Sequence, residues 1–117
     1  MAFRRSPDLD KFARNMLEFD KARSKMVKRL MIEGRAQGVG YRASFADKAV
    51  ALGLSGWVRN RRDGAVEACI DGEAAAIEAI IAWARQGPSG ASVHHVAIED
   101  AGEPASVDGT FKILPTQ

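Results

Sequence analysis

Between Val27 and Leu114 the spacing of apolar residues switches repeatedly between the two-residue period of a strand and the 3.6-residue period of a helix, which leaves few folds open. Val27 to Glu33 has a buried-looking centre, Leu30-Met31-Ile32, and reads as a strand. A glycine-rich stretch, Gly34 to Gly40, follows. Ala43 to Leu52 sets Phe45, Ala49 and Leu52 on one helical face, with Gly53 as the stop. Ser55 to Asn60 reads as a second strand, and Asp63-Gly64 supplies a hairpin turn. In a third strand Val66, Ala68 and Ile70 alternate with Glu67 and Cys69, the pattern of a half-buried strand. Ala74 to Arg85 places Ile77, Ile80, Ile81 and Ala84 on one stripe before Gly87-Pro88 ends the helix. Val93 to Glu99 and Phe111 to Leu114 complete the set as strands.

The order is βαββαβ with a short extra C-terminal strand. Each helix has one apolar stripe, and the hairpin makes the sheet mostly antiparallel. Together these predict an α+β fold, a ferredoxin-like two-layer sandwich. In that topology strand 3 returns between strands 1 and 2, so strands 1 and 2 run the same way. The glycine-rich loop after strand 1 and Asn60 at the end of strand 2 are then expected to meet.

A chain of 117 residues holds one domain with one core. Its first 25 residues stand apart. Ser6-Pro7 is a helix start, and Leu9, Phe12, Ala13, Met16 and Leu17 recur at helical spacing, so an amphipathic helix is expected over about 7–22. This reads as an N-terminal extension, residues 1–25, ahead of a domain at 26–117; the alternative is that Met26 is the native start. The extension carries seven Lys/Arg against four Asp/Glu, and the remainder ten against eleven. The folded body therefore lacks the basic excess of a general nucleic-acid binder. No apolar run reaches the roughly 20 residues of a membrane span. Pro7, Asp8 and Asp10 fall where a signal peptide needs an apolar stretch, and Cys69 is the only cysteine, so a cytoplasmic location is expected. One cysteine and the adjacent pair His94-His95 fall short of a structural zinc site.

The segment Gly34-Arg35-Ala36-Gln37-Gly38-Val39-Gly40-Tyr41-Arg42 leads into a helix. Gly38 and Gly40 permit backbone conformations closed to other residues, so successive amides can turn toward one anion. The helix N-terminus adds unpaired N–H groups, and Arg42 a planar fork for two phosphate oxygens. No Gly-Lys-Ser/Thr follows, so this is not a Walker loop, and the spacing is not that of a dinucleotide site.

A second stretch, Gly56-Trp57-Val58-Arg59-Asn60-Arg61-Arg62-Asp63-Gly64-Ala65-Val66-Glu67, follows about 15 residues later. The two stretches, in this order, closely resemble the two signature motifs of the acylphosphatase family. The resemblance covers roughly residues 26–115 and implies a ferredoxin-like hydrolase of acyl phosphates that needs neither cofactor, metal nor covalent intermediate. It implies that Arg42 binds phosphate with the loop Gln37, Gly38, Val39, Gly40 and Tyr41, and that Asn60 holds the attacking water. The implied partners are a small-molecule acyl phosphate and inorganic phosphate, the latter as product and inhibitor, with no nucleic acid and no membrane. Ala36 stands where valine is frequent in the family and Tyr41 where phenylalanine is.

The residue types also make chemical sense by themselves. An acyl phosphate has a good carboxylate leaving group, so orientation of water and neutralisation of phosphoryl charge are what an enzyme adds. Asn60 offers an acceptor and donors on one rigid amide. Gln37 is expected to orient the loop amides. Arg59, Arg61 and Arg62 read as a solvated hairpin rim, Trp57 and Trp83 as core or core-edge packing, and Cys69 as an inert thiol. His94 and His95 are adjacent on a strand, face opposite ways and cannot act as a pair. The alternatives are a ferredoxin-like module that binds RNA or protein without turnover, and the acylphosphatase-like domain of hydrogenase-maturation proteins.

Overall fold

The computed structural model describes residues 24–117, and the helix expected over 7–22 lies outside the described residues. The elements are β1 (Lys25–Arg35), α1 (Tyr41–Ala51), β2 (Ser55–Asn60), β3 (Val66–Glu73), α2 (Ala74–Gln86), β4 (Ser92–Asp100) and β5 (Phe111–Ile113). They form a five-stranded sheet ordered β4-β1-β3-β2-β5, antiparallel except where β5 runs parallel to β2. This is the expected ferredoxin-like α+β sandwich. Because β3 pairs antiparallel with both β1 and β2, those two strands share a direction and end at the same margin of the sheet.

One face of the sheet is covered by the helices. Leu30, Ile32, Val58, Ala68 and Ile70 meet Phe45 and Ala49 of α1 and Ile77, Ile80 and Ala84 of α2 in one buried cluster. Trp83 packs at its edge against Tyr41 and Phe45, with ring centroids 5.4 and 5.9 Å apart. Apolar stripes explain why both helices dock, and Gly53 and Gly87, at positive φ, follow their ends. Among the described residues no helix is long and apolar enough to cross a membrane.

Two local expectations change. Gly34 belongs to β1 rather than to the loop. Its φ is +128°, and a Cβ there would stand 2.3 Å from the Ser92 carbonyl oxygen, so glycine permits β4 to pass close beside a register shift at Glu33/Gly34. The third strand is also not half-buried, since Val66 through Ile70 are all buried. As the central strand, β3 has its helix-free face covered by neighbours: Arg29 and Trp57 sit opposite Cys69, and Met31 and Arg59 opposite Glu67.

Candidate active site

The loop leaving β1 is shaped by two left-handed glycines, Gly38 at φ +80° and Gly40 at φ +77°. A Cβ at either would meet nothing within 4 Å, so the backbone angle and not crowding calls for glycine. Gly40 is the N-cap of α1. No side chain caps this helix end, and no acidic residue stands in the first turn. The helix ladder opens with the Ser44 amide on the Gly40 carbonyl at 3.0 Å, so the first-turn amides of Tyr41, Arg42 and Ala43 have no partner within the helix. A row of unpaired donors at the positive end of a helix dipole is a binding surface for an anion.

Asn60 reaches the same place from β2. It pairs with Val66, which puts its side chain on the helix-covered face, at the strand end beside the start of α1. Its Oδ1 is buried and has no hydrogen-bond partner among the described residues. Gln37, Gly38, Gly40, Arg42, Asn60 and Ile113 line one pocket of about 210 Å³. Arg42, half-buried, forms no ion pair with another described residue. The structure thus brings Gln37, Gly38, Gly40, Tyr41, Arg42 and Asn60 to one pocket.

Two loop residues turn their side chains elsewhere. Val39 packs against the edge of the core. Tyr41 is buried, and its hydroxyl donates to the Ala84 carbonyl at 2.7 Å; burial pushes its phenol well above the ordinary range. What either can offer a ligand is its amide. Gln37 does not act on the loop amides through its side-chain nitrogen. Nε2 instead donates to the carbonyls of Arg61, at 2.7 Å, and Ala65, at 2.9 Å, binding the loop to the β2–β3 hairpin.

The expectation of a solvated arginine rim fails for two of the three residues. Arg59 Nε donates to Glu67 Oε1 at 2.7 Å and Arg61 Nη1 to the same oxygen at 3.1 Å. Arg29 Nε donates to Glu67 Oε2 at 2.7 Å and its Nη1 to Glu99 Oε1 at 2.6 Å. Only Arg62 remains exposed. Glu67 itself is 1% exposed. Burial pushes its carboxyl up, but the hydrogen bonds from the three arginines outweigh this and hold it below the ordinary carboxylate range. Sequence reasoning gave Glu67 no role; the available signal was an acid between apolar residues of a central strand, within reach of arginines on both sides. Trp57 lies half-buried on this same face with the Arg59 guanidinium 4.6 Å from its ring centroid.

A family model described as acylphosphatase matches residues 28–113. The chain belongs to the acylphosphatase family. The acylphosphatase of Azoarcus sp. (strain BH72) is 54% identical over 88 residues, spanning 74% of this chain and 87% of that protein. The structure of an acylphosphatase from Coxiella burnetii is similar with a TM-score of 0.72 at 31% identity, over 77% of this chain and 93% of that one. Full-length HypF, in a phosphate- and nucleotide-bound form, is similar with a TM-score of 0.68 at 26% identity, but over 80% of this chain and 12% of HypF. Family membership makes this chain a hydrolase of acyl phosphates rather than a binding module without turnover.

Proposed function

We propose that the chain cleaves acyl phosphates to carboxylate and inorganic phosphate with Arg42 and the amides of residues 37–42 holding the phosphoryl group and Asn60 holding the water. The observation that carries this division of labour is one pocket that gathers the start of α1, the Arg42 guanidinium and Asn60 Oδ1, the last two without a side-chain partner among the described residues. The water donates to Oδ1, which leaves its lone pair directed at phosphorus. As the new P–O bond forms, the bond to the acyl oxygen breaks and its electron pair leaves on the carboxylate. Arg42 and the amides stabilise the charge on the phosphoryl oxygens. Among the described residues no carboxylate or imidazole lines the pocket; a phosphate oxygen of the substrate takes the water's proton.

Inorganic phosphate presents the same oxygens as the substrate and competes for the same donors. Its binding uses no feature of the acyl group, so the pocket sets the phosphoryl end of the substrate.

Hydrolysis of benzoyl phosphate, with EDTA present, tests the assignment on the wild type, Arg42→Ala and Asn60→Ala. Arg42→Ala is expected to lose about a hundredfold to a thousandfold in rate, roughly 3–4 kcal/mol of transition-state stabilisation. A folded variant at either position with near-full turnover removes that residue from its role.

A further inference from the structure

We infer that Glu67 is a positioning residue for Asn60, acting through Arg59 and Arg61 from the opposite face of the sheet. The inference rests on the reading of Asn60 as the water holder. Arg59 and Arg61 are the chain neighbours of Asn60, and in extended backbone they point away from it. Both guanidinium groups end on one atom, Glu67 Oε1, at 2.7 and 3.1 Å. That atom is a fixed point: Glu67 is buried in the central strand, and Arg29 occupies its second oxygen.

β2 ends at Asn60 and a turn begins, with the Asn60 carbonyl accepting from the Gln117 amide at 3.1 Å. Beyond it, the Arg61 amide donates to the Ala65 carbonyl at 2.8 Å and the Arg61 carbonyl accepts from Gln37 Nε2 at 2.7 Å. The backbone on both sides of Asn60 is therefore held from the helix-free face by Glu67 and from the pocket face by Gln37. With its neighbours drawn to one side, the Asn60 carboxamide is left facing the pocket. Glu67 touches neither substrate nor water in this scheme.

A role confined to Asn60 predicts a split between kinetic parameters. Phosphate is held by the loop and Arg42, which Glu67 does not touch, whereas placement of the water depends on Asn60. Glu67→Gln keeps the shape of the side chain and removes its charge. With benzoyl phosphate as substrate, kcat is expected to fall about ten- to a hundredfold. The inhibition constant of inorganic phosphate is expected to stay within about twofold. In the Asn60→Ala background, where nothing is left to position, Glu67→Gln is expected to change turnover less than about twofold.

An unchanged kcat in Glu67→Gln overturns the inference. So does a double variant in which the two single losses multiply, since Glu67 would then act on the fold at large. If Glu67→Gln does not fold, Arg61→Met keeps the carboxylate and two of its arginines. It is expected to show the same kcat-only loss at smaller size, and an unchanged kcat there overturns the inference as well. Asn60→Ala with wild-type turnover removes the Asn60 assignment and this inference with it. A damaged Asn60→Ala beside an unaffected Glu67→Gln removes only the role of Glu67.

Discussion

Gln37 and Arg61 are 24 residues apart in the chain, yet the side-chain amide of one donates to the main-chain carbonyl of the other at 2.7 Å. The same nitrogen also reaches the Ala65 carbonyl at 2.9 Å. The glycine loop and the hairpin are thus joined by the two protons of one NH2 group.

Replacing Gln37 by Met keeps the side-chain length and removes both donors. Two carbonyls lose a partner, and the expected loss of stability is about 1–3 kcal/mol. The specificity constant for benzoyl phosphate is expected to fall as well, because the two halves of the site are no longer held in register. Urea unfolding and steady-state hydrolysis, measured on the same preparation, check the pair of effects.

Two glycines at positive φ are expected to respond differently to a methyl group. At Gly40, φ +77° with open space around it, Gly40→Ala meets only the left-handed backbone penalty, about 1–2 kcal/mol, and weakens phosphate inhibition. At Gly56, φ +132°, the new Cβ would lie 2.0 Å from the Cys69 carbonyl oxygen in the neighbouring strand. Gly56→Ala is expected to cost about 3 kcal/mol or more, because β2 must separate from β3. Urea midpoints of the two variants give the ranking directly.

Acid is expected to weaken the fold through Glu67. An unfolded glutamate titrates near its ordinary 4.5, and in the folded chain this carboxyl titrates lower, chiefly because three arginines outweigh its burial. Its folded pKa is depressed, so its contribution is complete above about 4.5 and is lost as pH falls below that toward the folded value. Unfolding free energies measured between neutral and acid pH should decline in that window. In Glu67→Gln the decline is expected to be shallower, starting from a lower plateau.

Much of the architecture was legible because each element announced itself by period: helical spacing in Ile77, Ile80 and Ala84, alternation in Val66, Ala68 and Ile70. The meeting of the glycine loop with Asn60 followed from topology, since a strand inserted between β1 and β2 obliges them to run the same way. The hairpin register was not legible. Asp63-Gly64 marks a turn but not its length. In the structure Gly64, at φ +96°, donates to the Arg61 carbonyl at 3.1 Å, closing a three-residue connection that sets Arg59 opposite Glu67 and Asn60 opposite Val66. A connection one residue shorter would exchange the faces of Arg59 and Asn60. The Glu67 cluster was hidden for the same reason: its arginines come from β1, β2 and the turn after β2, and only lateral pairing brings them to one carboxylate.

With the role proposed for it, Asn60 Oδ1, buried with no partner among the described residues, sets thermal robustness against turnover at a single position. A carbonyl oxygen in that condition lowers native-state stability by about 1–3 kcal/mol relative to one that is satisfied. A sequence optimised for folding alone would place an apolar side chain at the end of β2 and pack it against the start of α1. Keeping a carboxamide there gives up part of that stability at the margin of the sheet where the water is proposed to sit.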